Sequence, residues 1–420
     1  MLALIYRILV ICEINIRIKN IVTIGTVIVM TSQLEGIFKL KNLLILAPSY
    51  PNEDDTYIRG IFIKRQLDYL KTYFENVYVI APVFNCFKKC LCDKLCTDYE
   101  YDNVKVYYPR CFYVPIFYFS KFLIDDRLHV VRRLIEREGL EFDLIHAHFT
   151  WPSGHIGVKL RETYNKPVVV TIHENGEWFD KEIHMNHSLL NNSWKEADAL
   201  IRVNNKDVPI LKRFNQHVFW IPNGFSEEFK LLDSSFCKEQ LNLSQDKKII
   251  FSLGALIERK GFNYLIDSMK IITESTTDCV CYIGGSGKLK DKLQSQINDL
   301  KLEKYVKLID FVPDKMLPLW MNACDIFVLP SLRESFGIVQ IEALGCGKPI
   351  VATRNGGSEE IITSEDYGLL CEPADPKDMA NKILVALRKE WDNTKIKMYA
   401  QKFRWEEVLK DVIQIYQGLI

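Results

Sequence analysis

Neither sign of charge prevails in this chain: 54 Lys and Arg face 54 Asp and Glu across 420 residues. A neutral protein has no global field to gather polyanions, so nothing calls for nucleic acid as a partner. Long hydrophobic runs are also missing. The apolar stretches Met1–Cys12 and Ile21–Met30 each fall short of the roughly 18 residues of a spanning helix, and Arg7, Glu13, Arg17 and Lys19 interrupt them. No Gly-x4-Gly-Lys-Ser/Thr string occurs, which argues against a P-loop nucleotidase. No Gly-x-Ser-x-Gly elbow occurs either, which argues against a serine hydrolase of the α/β type. Internal repeats and low-complexity tracts are absent, so the chain is not a solenoid.

Cysteine is present but not organised. Twelve are scattered along the chain, and several, such as Cys281 and Cys346, sit in apolar runs. That pattern suits reduced thiols in a cytoplasmic protein. The one cluster is Cys86, Cys90, Cys92 and Cys96. Its spacing, C-x3-C-x-C-x3-C, matches no familiar metal site, and a variable surface loop is expected there.

The length suggests two domains, and 48% hydrophobic residues can fill two large cores. Asn42–Pro48 reads as the first strand, and residues 1–40 as an extension outside the fold. A membrane-associating helix, or a start placed before Met30, stands as the alternative for that extension. Further strands are expected at Val77–Ala81, Asp143–Ala147, Pro167–His173 and Ala199–Val203, with helices between them such as Ile61–Lys71 and Phe122–Glu138. After Ile221-Pro-Asn-Gly224 the alternation restarts, with strands at Lys248–Leu253, Val280–Gly284 and Val306–Asp310. Such alternation implies parallel sheets covered on both faces. The predicted organisation is an N-terminal Rossmann-like domain at 41–210, a C-terminal one at 211–403, and a last helix at 404–420.

The most informative stretch is 330–351. Asp325–Pro330 and Pro349–Ala352 read as buried strands. Between them Ile338, Val339, Ile341 and Leu344 fall at helical spacing, and Gly345 ends the helix. The start of that helix offers free N–H groups and a positive dipole end, a natural place for an anion. Glu334 precedes the helix and Glu342 lies about one turn inside it. The two could bracket a phosphorylated ligand and accept hydrogen bonds from its hydroxyls.

This stretch resembles the signature of the retaining glycosyltransferases of family 4: two glutamates with seven residues between them, Phe-Gly after the first, Glu-Ala and then Gly-x-Pro at the second. Other segments resemble the same family. Pro51 to Gly60-Ile-Phe-Ile63 is similar to its first loop, where glycine lets the backbone approach the donor phosphate. His173, ending a strand, matches the histidine beside the donor sugar. Gly254 to Lys260-Gly261 is similar to the loop whose arginine and lysine neutralise the pyrophosphate. Here Lys260 matches, but Ala255 stands at the arginine position, with Arg259 nearby. Gly284-Gly285-Ser-Gly287 is similar to the loop on the nucleotide side of the cleft. Asp310-Phe-Val312 is similar to the segment meeting the base.

The resemblance implies a GT-B fold, two doubly wound Rossmann-like domains facing a cleft, with the last helix, here 404–420, crossing back to the N-terminal domain. It implies a retaining enzyme that needs no metal or other cofactor and moves a sugar from a nucleotide-diphosphate donor to a glycan or lipid-linked acceptor hydroxyl. Glu334, His173 and Lys260 would carry the chemistry. Gly60, Arg259, Gly285, Val312, Phe336, Gly337, Ile338 and Glu342 would bind the donor. An epimerase or phosphorylase on the same fold, or a non-catalytic sugar-binding relative, is the alternative. His146-Ala-His148 could chelate a metal from one side of a strand, but the family's similar segment binds none. His173-Glu-Asn-Gly-Glu177 is not a zinc-protease motif, because its fifth residue is not His.

Overall fold

The computed structural model describes residues 40–85, 96–112 and 121–420. The N-terminal extension, Cys86, Cys90 and Cys92 therefore lie outside the described residues. Cys96 is buried in the first half of the molecule. Among the described residues no helix is long and apolar enough to cross a membrane.

Among the described residues ten strands belong to the first half: β1 (Leu40–Leu46), β2 (Phe74–Ile80), β3 (Val83–Asn85), β4 (Tyr99–Tyr101), β5 (Val104–Tyr107), β6 (Arg110–Phe112), β7 (Leu144–His148), β8 (Val168–Ile172), β9 (Ala199–Arg202) and β10 (Val218–Trp220). Eight of them form one sheet in the order β10-β9-β8-β7-β1-β2-β5-β4. Only the β4–β5 pairing is antiparallel. β3 and β6 pair separately. Six strands build the second half: β11 (Lys248–Leu253), β12 (Cys279–Gly284), β13 (Val306–Ile309), β14 (Ile326–Leu329), β15 (Ile350–Thr353) and β16 (Gly368–Cys371). Their sheet is parallel throughout, in the order β13-β12-β11-β14-β15-β16.

The residues explain these sheets. Every side chain of β7, β8, β14 and β15 is buried. Runs such as Val-Val-Val-Thr-Ile suit strands covered on both faces, where helices must pack on each side. Each sheet reverses its winding beside its first strand, at β1 and β11. Ligand crevices of such sheets open there, at the carboxyl ends of the strands. The expected GT-B architecture is the observed one.

The last helix, Trp405–Leu419, buries Trp405, Val408, Leu409, Val412 and Tyr416 in the core that holds Leu43 and Ile45 of β1. It thus crosses back onto the first sheet. Its start is pinned where Phe225 N–H donates to Phe403 O (2.9 Å) and Trp405 N–H to Phe225 O (3.2 Å). Gly224 makes the crossing fit: a Cβ there would lie 2.5 Å from the Trp405 ring.

One expectation about extent needs correcting. The first sheet does not stop at residue 210, because β10 pairs with β9 through Val218–Trp220. Its half-exposed Phe219 and Trp220 do not read as a buried strand. Likewise β4, β5 and β6 were not foreseen. They are three or four residues long, too short to show a period.

Candidate functional site

Loops from the carboxyl ends of both sheets meet in the cleft. After β1 the chain runs to Gly60, which begins the helix Ile61–Leu70 at φ 81°. A Cβ at Gly60 would lie 2.3 Å from Ser49 O. Only glycine allows this turn to close against the preceding loop.

The second half supplies the charges. The turn Glu258–Lys260 follows β11 and ends at Gly261 (φ 65°). A side chain on Gly261 would meet Pro330 O at 2.1 Å, so this glycine lets the loop after β11 lie on the loop after β14. Leu332 N–H donates to Arg259 O (2.8 Å), and the Arg259 guanidinium to Arg333 O (2.8 Å). The zipper delivers both cations to Glu334. Lys260 Nζ bonds one carboxylate oxygen, and Arg259 Nη1 the other at 3.1 Å. The Glu334 side chain is only 7% exposed. Burial by itself raises its carboxyl, but Lys260 and then Arg259 outweigh that and hold it below the usual glutamate value.

Gly285 repeats the device on the other side. Its φ is 141°, and a Cβ would meet Gly254 O at 1.9 Å, so the loops after β11 and β12 also touch backbone to backbone. Val312 is buried and packs against Gly284. Phe336 is buried, and Gly337 (φ 92°) caps the helix Ile338–Gly345 without a side-chain partner. The helix starts at Ile338, with its first N–H groups open to an anion.

Glu342 is buried on that helix, and its Oε1 accepts from Arg65 Nη1 at 2.7 Å. Arg65 belongs to the helix after Gly60, in the other half, and its second nitrogen reaches Asp314 at 2.7 Å. Burial raises the Glu342 carboxyl, and Arg65 opposes the rise. Sequence reasoning missed Arg65, because the pair Lys64-Arg65 reads as a solvated helix face. A second bridge between the halves runs from Asn204 Nδ2 to Ser335 O (3.1 Å).

The wall opposite comes from β7 and β8. His146 and His148 point to one side, their ring centroids 4.3 Å apart. The Tyr416 hydroxyl is hydrogen-bonded to His146 Nδ1 (2.6 Å), and His148 Nδ1 to His173 Nε2 (3.0 Å). Burial drops His146 to about 3 and carries His148 and His173 well below the usual histidine range. The row is therefore neutral near pH 7. A polar spine thus runs from the returning helix to His173 at the cleft. Next to it stand Phe149, held at φ 71°, and Glu174, whose Oε1 accepts the Thr150 N–H at 2.7 Å.

A cavity of about 400 Å³ opens between the two walls, lined by Phe149, His173, Glu174 and Trp178 on one side and by Arg259 and Glu334 on the other. The structure thus brings His173, Arg259 and Glu334 to one space, with Lys260 bonded to Glu334. Glu342 stands beyond them in the Arg65 clasp. A cavity of similar size, about 430 Å³, lies between β10 and the returning helix, but holds none of these groups.

The family described as Glycosyltransferase Family 4 matches residues 89–229, and the one described as Glycosyl transferases group 1 matches residues 233–403. An uncharacterized glycosyltransferase of Methanocaldococcus jannaschii is 28% identical over 296 residues, 69% of this chain and 78% of its own length. The fold is similar to that of sucrose-phosphate synthase from Thermosynechococcus elongatus, with a TM-score of 0.70 at 20% identity over 90% of this chain and 99% of that one. It is similar too to HepE from Anabaena in complex with UDP, with a TM-score of 0.68 at 20% identity over 90% and 100%.

Proposed function

We propose that this chain, which belongs to the family 4 glycosyltransferases, is a retaining enzyme that moves a sugar from a nucleotide-diphosphate donor to an acceptor hydroxyl with an α-linkage. The observation that carries this reading is Glu334, buried at the cleft between Lys260 and Arg259 and facing the same cavity as His173. Two cations and an uncapped helix start converge where a diphosphate would leave. Charge that develops on a leaving group is stabilised best by such fixed donors in a partly dry site.

In this reading the nucleotide binds the second half and the acceptor the first, the acceptor side being the first sheet through Trp220 together with the returning helix. Lys260, the N–H groups at Phe336–Ile338 and the backbone at Gly60 hold the diphosphate. Arg259, beside Lys260, adds positive charge without standing at the position of Ala255. Gly285 and Val312 flank the nucleoside. Glu334 accepts hydroxyls of the transferred sugar, Glu342 those of the ribose, and His173 lies beside the sugar. The chemistry needs no metal, since lysine and helix N–H groups supply the positive charge. The acceptor is a glycan or a lipid-linked sugar, met in the cytoplasm or at the inner face of a membrane.

HepE was crystallised with UDP, so UDP-sugars are the first donors to try, followed by GDP- and ADP-sugars. A bound donor raises the melting temperature, since it adds about 2.7 kcal/mol at a hundredfold excess over Kd. Nucleoside diphosphate should then be released only when an acceptor is supplied. Release without acceptor, or release that requires inorganic phosphate, would overturn the reading in favour of an epimerase or a phosphorylase.

A further inference from the structure

Glu174 and Glu182 are two buried acids that the reaction above does not use. Glu174 lies between β8 and the helix Gly176–Met185, and Glu182 lies on that helix. They are 4% and 1% exposed. One oxygen of each is already bonded: Glu174 Oε1 accepts the Thr150 N–H at 2.7 Å, and Glu182 Oε1 accepts the Trp178 indole N–H at 3.0 Å. The other oxygen of each is buried and has no hydrogen-bond partner among the described residues. Both carboxyl groups face Thr150 and act electrostatically on each other.

Two ionised carboxylates in this place would be uncompensated. Arg202 is the cation that faces both, but its guanidinium already holds Asp207 and donates to Ile172 O at 2.8 Å. His173, adjoining Glu174, is neutral. Like charges buried side by side cannot both persist, so one group keeps its proton. An O–H···O⁻ bond between the free oxygens would satisfy both of them at once, and such bonds are short and strong.

We propose that Glu174 and Glu182 hold one proton in common, and that this proton fixes the acceptor side of the cleft. Through Glu174 it ties down the Phe149–Thr150 loop. Through Glu182 it orients Trp178, which is 39% exposed and lines the cavity. Both glutamates are positioning residues. The assignment of this wall to the acceptor rests on the function proposed above; the shared proton does not.

The pH dependence follows. Burial, then the charge of Glu174, pushes the Glu182 carboxyl up to about 9, and burial raises Glu174 as well. An acid raised in the folded state keeps its proton below that value and loses it as pH rises through it. Above it two buried anions repel, and the Trp178 helix and the Phe149 loop move apart.

The protein labelled with 5-fluorotryptophan tests this by ¹⁹F NMR, with the Trp178 signal identified by Trp178→Phe. In the wild type that signal should titrate with a midpoint at about 9. Glu182→Gln places an amide donor where the protonated carboxyl stood, so it should keep the neutral-pH chemical shift and abolish the titration. Glu174→Gln should do the same from the other side. Infrared difference spectra of the wild type should show a protonated-carboxyl band at neutral pH that disappears above the midpoint, whether or not the variants fold. A Trp178 signal that titrates equally in wild type and Glu182→Gln, or no protonated-carboxyl band, overturns the proposal. UDP binding by calorimetry, run beside it, separates the two ideas. Loss of UDP binding in the wild type would sink the donor reading and leave the proton pair standing.

Discussion

Replacing Arg65 by Met tests how the halves are joined. The Glu342 side chain is 2% exposed and the Arg65 side chain 15%, with 2.7 Å between the charged atoms. Removing one partner of a pair so buried leaves an uncompensated charge, at a cost of about 3–5 kcal/mol. The link to Asp314, whose side chain is 41% exposed, adds at most about 1 kcal/mol, because water screens it. The cost should depend on pH. Burial already raises Glu342 against the opposition of Arg65, so without Arg65 the carboxyl rises further and takes up a proton. The folded state then binds a proton that the unfolded state releases. Stability of Arg65→Met should therefore fall, relative to wild type, as pH rises from the ordinary carboxylate range toward neutrality and above. Urea unfolding followed by tryptophan fluorescence, at mildly acid and mildly alkaline pH, measures it. Arg65→Met with Glu342→Gln removes both charges and should recover more than half of the loss while flattening its pH dependence. A single variant within about 1 kcal/mol of wild type at alkaline pH, or a double variant no better than the single, would refute the reasoning.

The glutamates should separate kinetically. Glu334→Gln should lower kcat by about two orders of magnitude or more, as removal of one electrostatic stabiliser does. Glu342→Gln should mainly raise donor KM and weaken binding of the bare nucleoside diphosphate, which has ribose but no sugar; the reverse order would sink the assignment. Lys260→Ala should weaken UDP binding and turnover more than Arg259→Ala, because the lysine charge is the one the family places on the diphosphate. A larger loss at Arg259 would show that it has assumed the role missing at Ala255. Turnover should survive EDTA, and loss reversed by Mg²⁺ or Mn²⁺ would contradict metal independence.

The sequence by itself determined the fold class and the two loops on which the proposed chemistry rests. Both are local in origin. Runs such as Val168–Ile172 and Ile350–Thr353 are apolar enough to require cover on both faces, so a parallel sheet followed. Gly60, Gly261 and Gly337 stand at turns with positive φ, where composition reports backbone geometry directly. Glu334, Lys260 and His173 were singled out by the motifs that resemble family 4, and each lies beyond a strand end, where such sheets bind ligands.

Only the tertiary structure decided who partners whom. Lys260 and Arg259 were expected on a diphosphate, and both lie on Glu334, 74 and 75 residues away. Arg65 meets Glu342 across 277 residues, a contact that no local pattern encodes. Tyr416 reaches His146 across 270 residues because the last helix returns to the first core. Glu174 and Glu182 looked like ordinary polar residues of a loop and a helix. Their character comes from burial and from each other, and burial is a property of the packed chain: the same carboxyl is a solvated anion on one helix face and a held proton on another.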